Sequence, residues 1–101
     1  MSTTYDVVFQ HRATRDIEEI NAWWRNNRPA APELFLLELR ATLSIAALSP
    51  TLGAPARDVR LAGIRRLSLQ RTRYHVYYRV VGQMLEILAV WHAVRGSRPG
   101  L

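Results

Sequence analysis

Residues 74–91 hold the feature that most restricts the fold. Tyr74 to Val81 and Met84 to Trp91 are two runs of aliphatic, β-branched and aromatic residues, separated only by Gly82-Gln83. A two-residue loop with glycine at its first central position suits a type II′ turn, whose twist matches the strands it joins. Such a turn sets a register, and the register assigns each side chain to a face. With Val81 opposite Met84, Arg79 faces Glu86, Tyr77 faces Leu88, His75 faces Val90 and Arg73 faces His92. The Arg79–Glu86 match agrees with this alignment, because opposite charges directly across a ladder are mildly stabilising. The other face carries Tyr74, Val76, Tyr78 and Val80 against Leu85, Ile87, Ala89 and Trp91, and is expected to cover helices. Arg73, His75, Tyr77, Arg79, Glu86 and His92 are then expected on an open polar face, the place to look for function.

Upstream, Tyr5-Asp6-Val7-Val8-Phe9 alternates Tyr, Val and Phe on one side and reads as a short first strand. Thr14 offers an N-cap oxygen, with Asp16 and Glu18 behind it where the helix dipole favours negative charge. Ala13, Ile17, Ile20 and Trp24 trace one helical stripe, and Asn26-Asn27-Arg28-Pro29 ends that helix. A second helix is expected from Pro32-Glu33 to Ser49-Pro50, antiparallel to the first. It is apolar over more than one stripe, which calls for a sandwiched position or a partner over part of it. Thr51 to Asp58 reads as a loop, the period switches to two from Val59, and Ile64 to Gln70 is expected as a strand. The result is one α+β domain over residues 1–101, in the order β-α-α-β-β-β, with a helical hairpin packed on a C-terminal antiparallel sheet.

Charge is divided unevenly along this chain. Residues 1–56 hold five arginines against six acids, a net of −1, whereas residues 57–101 hold nine arginines against Asp58 and Glu86, a net of +7. A field of that kind suits a polyanion or an acidic partner. Arg65, Arg66, Arg71 and Arg73 are the leading contacts, set against a plain solubilising surface. Adjacent tryptophans cannot both face the core, so Trp24 continues the stripe and Trp23 is the candidate partner contact. His92 at a strand end is more often a hydrogen-bonded structural histidine than a base, and His11 reads as surface. The tail from Gly96 to Leu101 is expected to be mobile. Cysteine is absent, which removes disulfides and thiolate metal sites and makes a reducing cytoplasm the default location. No cofactor or metal is expected. The start lacks the basic cluster and apolar run of a secretory signal, and no run of 18 apolar residues offers a membrane span.

The ordered set of segments resembles the RelE/ParE superfamily of bacterial toxins over nearly the whole chain. The residues that carry the resemblance are Tyr5 to Phe9, Ala13 with Ile17, Ala47-Leu48-Ser49-Pro50 with Gly53, Arg65-Arg66-Leu67, Arg73-Tyr74, Val76-Tyr77-Tyr78-Arg79, and the terminal His92 and Arg95. The resemblance implies the toxin of a type II toxin–antitoxin module in a hetero-oligomer with its antitoxin, whose acidic, partly disordered segment folds around it. Two targets follow from it. ParE-like members inhibit DNA gyrase and have no agreed catalytic residues. RelE-like members cut mRNA on the ribosome.

RNA cleavage through the 2′-OH needs a base, an acid and cations around one phosphate. If the chain is a nuclease, the candidates are His92, Arg73, Arg95, His75 and Tyr77. Candidates for meeting a target or an antitoxin are Arg65, Arg66, Arg71, Arg73, Arg79, His92, Arg95 and Trp23. The resemblance implies that RelE-like nucleases use lysines in the second-helix region and a tyrosine beyond the last strand, or a glutamate base. This chain has no lysine and no tyrosine after Tyr78, and Glu86 is expected to pair with Arg79, so that nuclease set is incomplete. The ParE-like reading is therefore preferred. The alternatives are the RelE-like endoribonuclease and a non-toxic basic nucleic-acid-binding module.

Overall fold

The computed structural model describes residues 4–94 and 99–101. Its elements are β1 (Asp6–Phe9), α1 (His11–Asn27), α2 (Leu34–Leu48), β2 (Ala54–Pro55), β3 (Arg65–Leu69), β4 (Tyr74–Val81) and β5 (Met84–His92). The five strands form one mixed sheet in the order β1-β5-β4-β3-β2. β1 runs parallel to β5, and every other neighbouring pair is antiparallel. The helical connection after β1 makes this arrangement possible, because a parallel pair needs a crossover.

The two helices lie on one face of the sheet. Their apolar stripes meet Leu67, Leu69, Tyr74, Val76, Tyr78, Leu85, Ile87 and Val90 in the main core. The stripe predicted for α1 is present, with Ala13 and Trp24 buried and Ile17 and Ile20 packed against the core. Its start differs from expectation. α1 begins at His11, with Gln10 as an N-cap that makes no side-chain cap bond, and Thr14 lies within the first turn. Gln10 donates its N–H to the Ile87 carbonyl at 2.9 Å, so the tether between β1 and β5 decides where the helix begins. Asp16 is likewise drawn away from the helix end. It accepts the Val90 N–H at 3.0 Å, beyond the last residue of β1 that pairs with β5.

The turn at Gly82 forms as expected, with φ +58° at the glycine. The predicted register holds for the four pairs nearest it: Val81–Met84, Val80–Leu85, Arg79–Glu86 and Tyr78–Ile87. It then breaks at a β-bulge. Leu88 is an extra residue in β5, so Tyr77 pairs with Ala89, His75 with Trp91 and Tyr74 with His92. The expected pairings of Tyr77 with Leu88, His75 with Val90 and Arg73 with His92 are corrected accordingly. Val90 joins the helix-facing core, and Trp91 moves to the opposite face with Leu88 and Ala89.

That opposite face is not open. The segment expected to turn to period two from Val59 makes bends and turns instead, and β3 starts at Arg65 rather than Ile64. It lies over the sheet, where Ile64, Tyr77, Leu88 and Ala89 form a second buried cluster bordered by Ala56, Val59, Trp91 and Leu101. The bulge has its cause here, since two successive residues of β5 bury on the same side. Val80, expected under the helices, is instead exposed at the protruding tip of the hairpin. Phe9 is exposed as well.

Candidate functional site

The turn between β3 and β4 carries Arg71 and Arg73, and its position is set from α2. Glu38 accepts the Arg71 N–H at 2.7 Å, the Thr72 N–H at 2.9 Å and the Thr72 hydroxyl at 2.7 Å. Burial by itself would raise this carboxyl, but the three hydrogen bonds outweigh it and hold Glu38 below the usual range. Arg73 follows with φ +70°, the left-handed region. A non-glycine residue there costs about 1–2 kcal/mol. Its carbonyl accepts the Ala93 N–H at 2.8 Å, which ties the turn to the end of β5.

A cleft of about 840 Å³ lies between α1 and this turn. Trp24 is buried at its base and donates its indole N–H to the Tyr74 hydroxyl at 3.1 Å. Trp23 stands 45% exposed at the cleft, with the Arg28 guanidinium 5.0 Å from its ring centre. The separation of Trp23 from Trp24 is as the sequence predicted. His92 lies edge-on to Tyr74, ring centres 5.0 Å apart, and lines the same cleft with Arg71 and Arg73.

The other face of the sheet holds a separate polar network. Tyr77 is only 1% exposed, which corrects its placement on an open surface. Its hydroxyl donates to Asp58 at 2.6 Å, and Arg66 reaches the same carboxylate oxygen at 3.3 Å. Burial, then the bond to Asp58, pushes the Tyr77 phenol up to about 12. His75 lies 3.2 Å from the Ser68 hydroxyl through Nδ1. Burial first, and the Arg66 charge second, lower its pKa and favour the neutral ring.

The predicted residues thus divide. Arg71, Arg73, His92 and Trp23 gather at the cleft on the helix side, whereas His75, Tyr77 and Arg66 lie on the opposite face. Arg65 turns to the helix side and donates to the Gly53 and Thr51 carbonyls at 2.6 and 3.3 Å. Arg79 pairs with Glu86 at 2.7 Å, as its place in the ladder predicted. Arg95 lies outside the described residues, as do residues 96–98 of the tail expected to be mobile, whereas Leu101 packs on the second buried cluster and its carbonyl accepts the Arg60 N–H at 3.0 Å.

Sequence reasoning missed three carboxylates: Asp16, Glu38 and Asp58. Two left a signal. Glu38 and Arg40 are the only charged residues in the apolar α2, and Asp58 is one of two acids in the cationic half. A carboxylate isolated in such surroundings usually has a partner.

The family described as ParE toxin of type II toxin-antitoxin system, parDE, matches residues 7–95. The chain belongs to this family. No curated protein shows significant sequence similarity to it. Among solved structures, the ParE-family chain is similar to one in the chromosomal ParDE TA system from P. aeruginosa. That likeness has 19% identity and a TM-score of 0.70 over 88% of this chain and 96% of the other. The intact E. coli RelBE toxin–antitoxin complex gives 20% identity and a TM-score of 0.60, over 90% and 99%. The RelBE2 toxin–antitoxin complex from Mycobacterium tuberculosis gives 26% and 0.56, over 89% and 99%. The RelE/ParE-like fold is therefore established.

This ParE-family chain carries one further surface of note. Leu37, Ala41, Ile45 and Leu48 recur at helical spacing along α2 and all point to solvent. Leu37, Ile45 and Leu48 are each more than half exposed, and half-exposed Leu52 lies just beyond them. An apolar stripe of this kind on the solvent side of a helix is characteristic of a face that a partner covers. No described helix is long and apolar enough to cross a membrane.

Proposed function

We propose that this ParE-family chain arrests growth by acting on DNA gyrase, and that a cognate antitoxin neutralises it. The observation that carries the choice of target is the separation of the proton-transfer candidates. RNA cleavage demands base, acid and cations around one phosphate. His92 and Arg73 sit on the helix side, while His75 and Tyr77 sit on the other. Tyr77 is buried, and its hydroxyl is donated to Asp58. A toxin that inhibits by docking needs none of these groups in one place.

The antitoxin reading is supported by the solvent-facing stripe Leu37–Ala41–Ile45–Leu48, which suits the apolar side of an amphipathic helix. The net charge of +7 over residues 57–101 favours an acidic segment. The complexes with which the fold is shared include toxin–antitoxin pairs, which accords with a hetero-oligomer.

Two assays run side by side test the target: gyrase supercoiling of relaxed plasmid, and translating ribosomes with a reporter mRNA. The expected result is inhibition of supercoiling with the mRNA intact. Ribosome-dependent mRNA cleavage with supercoiling untouched would reverse the assignment.

A further inference from the structure

We propose that the cleft between α1 and the β3–β4 turn binds a phosphate-bearing nucleobase, either a free nucleoside phosphate or the end of a single strand. Its volume of about 840 Å³ falls within the range of about 300–1,000 Å³ that small-molecule sites occupy. Three arginines line it: Arg28, Arg71 and Arg73. Among the described residues, the side chains of Arg71 and Arg73 make no hydrogen bond or close ion pair, and only the charge of Arg71 is felt by Glu38, so their guanidinium donors are available to an anion. Forked N–H donors of this kind match phosphate oxygens well.

The turn that presents the arginines is unusually determined. Glu38 holds it from α2 through both backbone N–H groups and a hydroxyl, and Ala93 holds it from β5. Arg73 occupies a left-handed conformation in which glycine would be unstrained. An observed outlier of this kind, over-determined by its surroundings, is characteristic of a positioned functional group.

Charge alone would suit an acidic peptide equally well. The walls decide between the two. Trp23 and His92 bring aromatic rings to the same cleft, with the buried Tyr74 ring behind His92, and Arg28 lies over Trp23. Bases stack on aromatic rings and on guanidinium planes, an interaction that a chain of carboxylates cannot use. The carboxylates in the cleft do not oppose this. Asp16 is held by the Val90 N–H and Arg12, and exposed Glu19 is an acceptor for an exocyclic amino group.

Isothermal titration of the full chain at fixed ionic strength tests this with four probes: ADP, a 5′-phosphorylated thymidine tetranucleotide, inorganic phosphate and tetraglutamate. The informative variant is Arg73→Gly, which removes the guanidinium while relieving the backbone, so it keeps the fold. Trp23→Ala removes the exposed ring. Each substitution is expected to weaken ADP or the tetranucleotide at least tenfold. Tighter ADP would assign the site to free nucleoside phosphates, and a tighter tetranucleotide would assign it to strand ends. The proposal fails if neither probe binds, if binding ignores both substitutions, or if phosphate or tetraglutamate binds as tightly as the nucleotides.

Discussion

Glu38 Oε1 receives both the N–H and the hydroxyl of Thr72, at 2.9 and 2.7 Å, across 34 residues of sequence. One carboxylate on α2 thereby determines where the arginine-bearing end of the sheet stands. Hydrogen bonds to a charged group contribute about 1.5–3 kcal/mol each. Glu38→Ala should therefore lower unfolding stability by about 2–4 kcal/mol in urea titrations, and Glu38→Gln by less, because the amide oxygen keeps part of the set. The pH dependence follows from the depressed carboxyl. Its stabilisation is complete above the unfolded value of 4.5 and is lost as pH falls through the lower folded value. Wild type should lose stability over that acid window, and Glu38→Gln should lose less. Equal slopes for the two proteins would show that Glu38 does not carry this dependence.

Gly53 is required by proximity rather than by dihedral freedom. A Cβ there would stand 2.8 Å from both Cε1 and the hydroxyl oxygen of Tyr78 and 3.1 Å from the Arg66 carbonyl. Tyr78 cannot yield, because it is fully buried and its hydroxyl bonds the Pro50 carbonyl and the Gly53 N–H. Gly53→Ala should cost about 1–3 kcal/mol by overpacking, read as a lower urea midpoint. An unchanged midpoint would mean that the loop shifts freely.

Tyr77→Phe separates structure from chemistry. The ring stays, but the hydrogen bond to Asp58 is lost, and Asp58 Oδ1 already has no partner among the described residues. Stability should fall by about 1.5–3 kcal/mol. Toxicity, compared at equal amounts of folded protein in a growth assay, should be unchanged. In the wild type, absorbance titration should find one tyrosine ionising near 12, above the ordinary 10.

The stripe on α2 should matter to the antitoxin and not to the fold. Ile45 and Leu48 are exposed, and charges there leave the core intact. The double variant Ile45→Glu, Leu48→Glu should stay folded and toxic while a co-expressed antitoxin no longer rescues growth. Full rescue would place the antitoxin elsewhere.

Legibility followed distance along the chain. Gly82-Gln83, the stripe from Ala13 to Trp24 and the breaks at Pro29 and Pro50 are local signals, and the elements they imply are present. The Arg79–Glu86 pair was equally visible, because it lies only three pairs from the turn, counting Val81–Met84 as the first. The candidate site was half legible. Arg71, Arg73, His92 and Trp23 do converge, but Tyr77 and His75 do not join them. The reason is Leu88: whether it continues the ladder or bulges depends on Ile64, which only packing brings against it.

The sequence alone determined the family, the turn, the cationic half and the order of every element except the two-residue β2, which lies in the segment read as a loop, since composition, spacing and short-range sterics act within a few residues. Tertiary structure decided which face each side chain took beyond the bulge, which carboxylates hold the arginine turn and which apolar stripe stays uncovered. Those outcomes depend on burial between segments tens of residues apart, and a one-residue shift in a strand reverses the side of every residue after it.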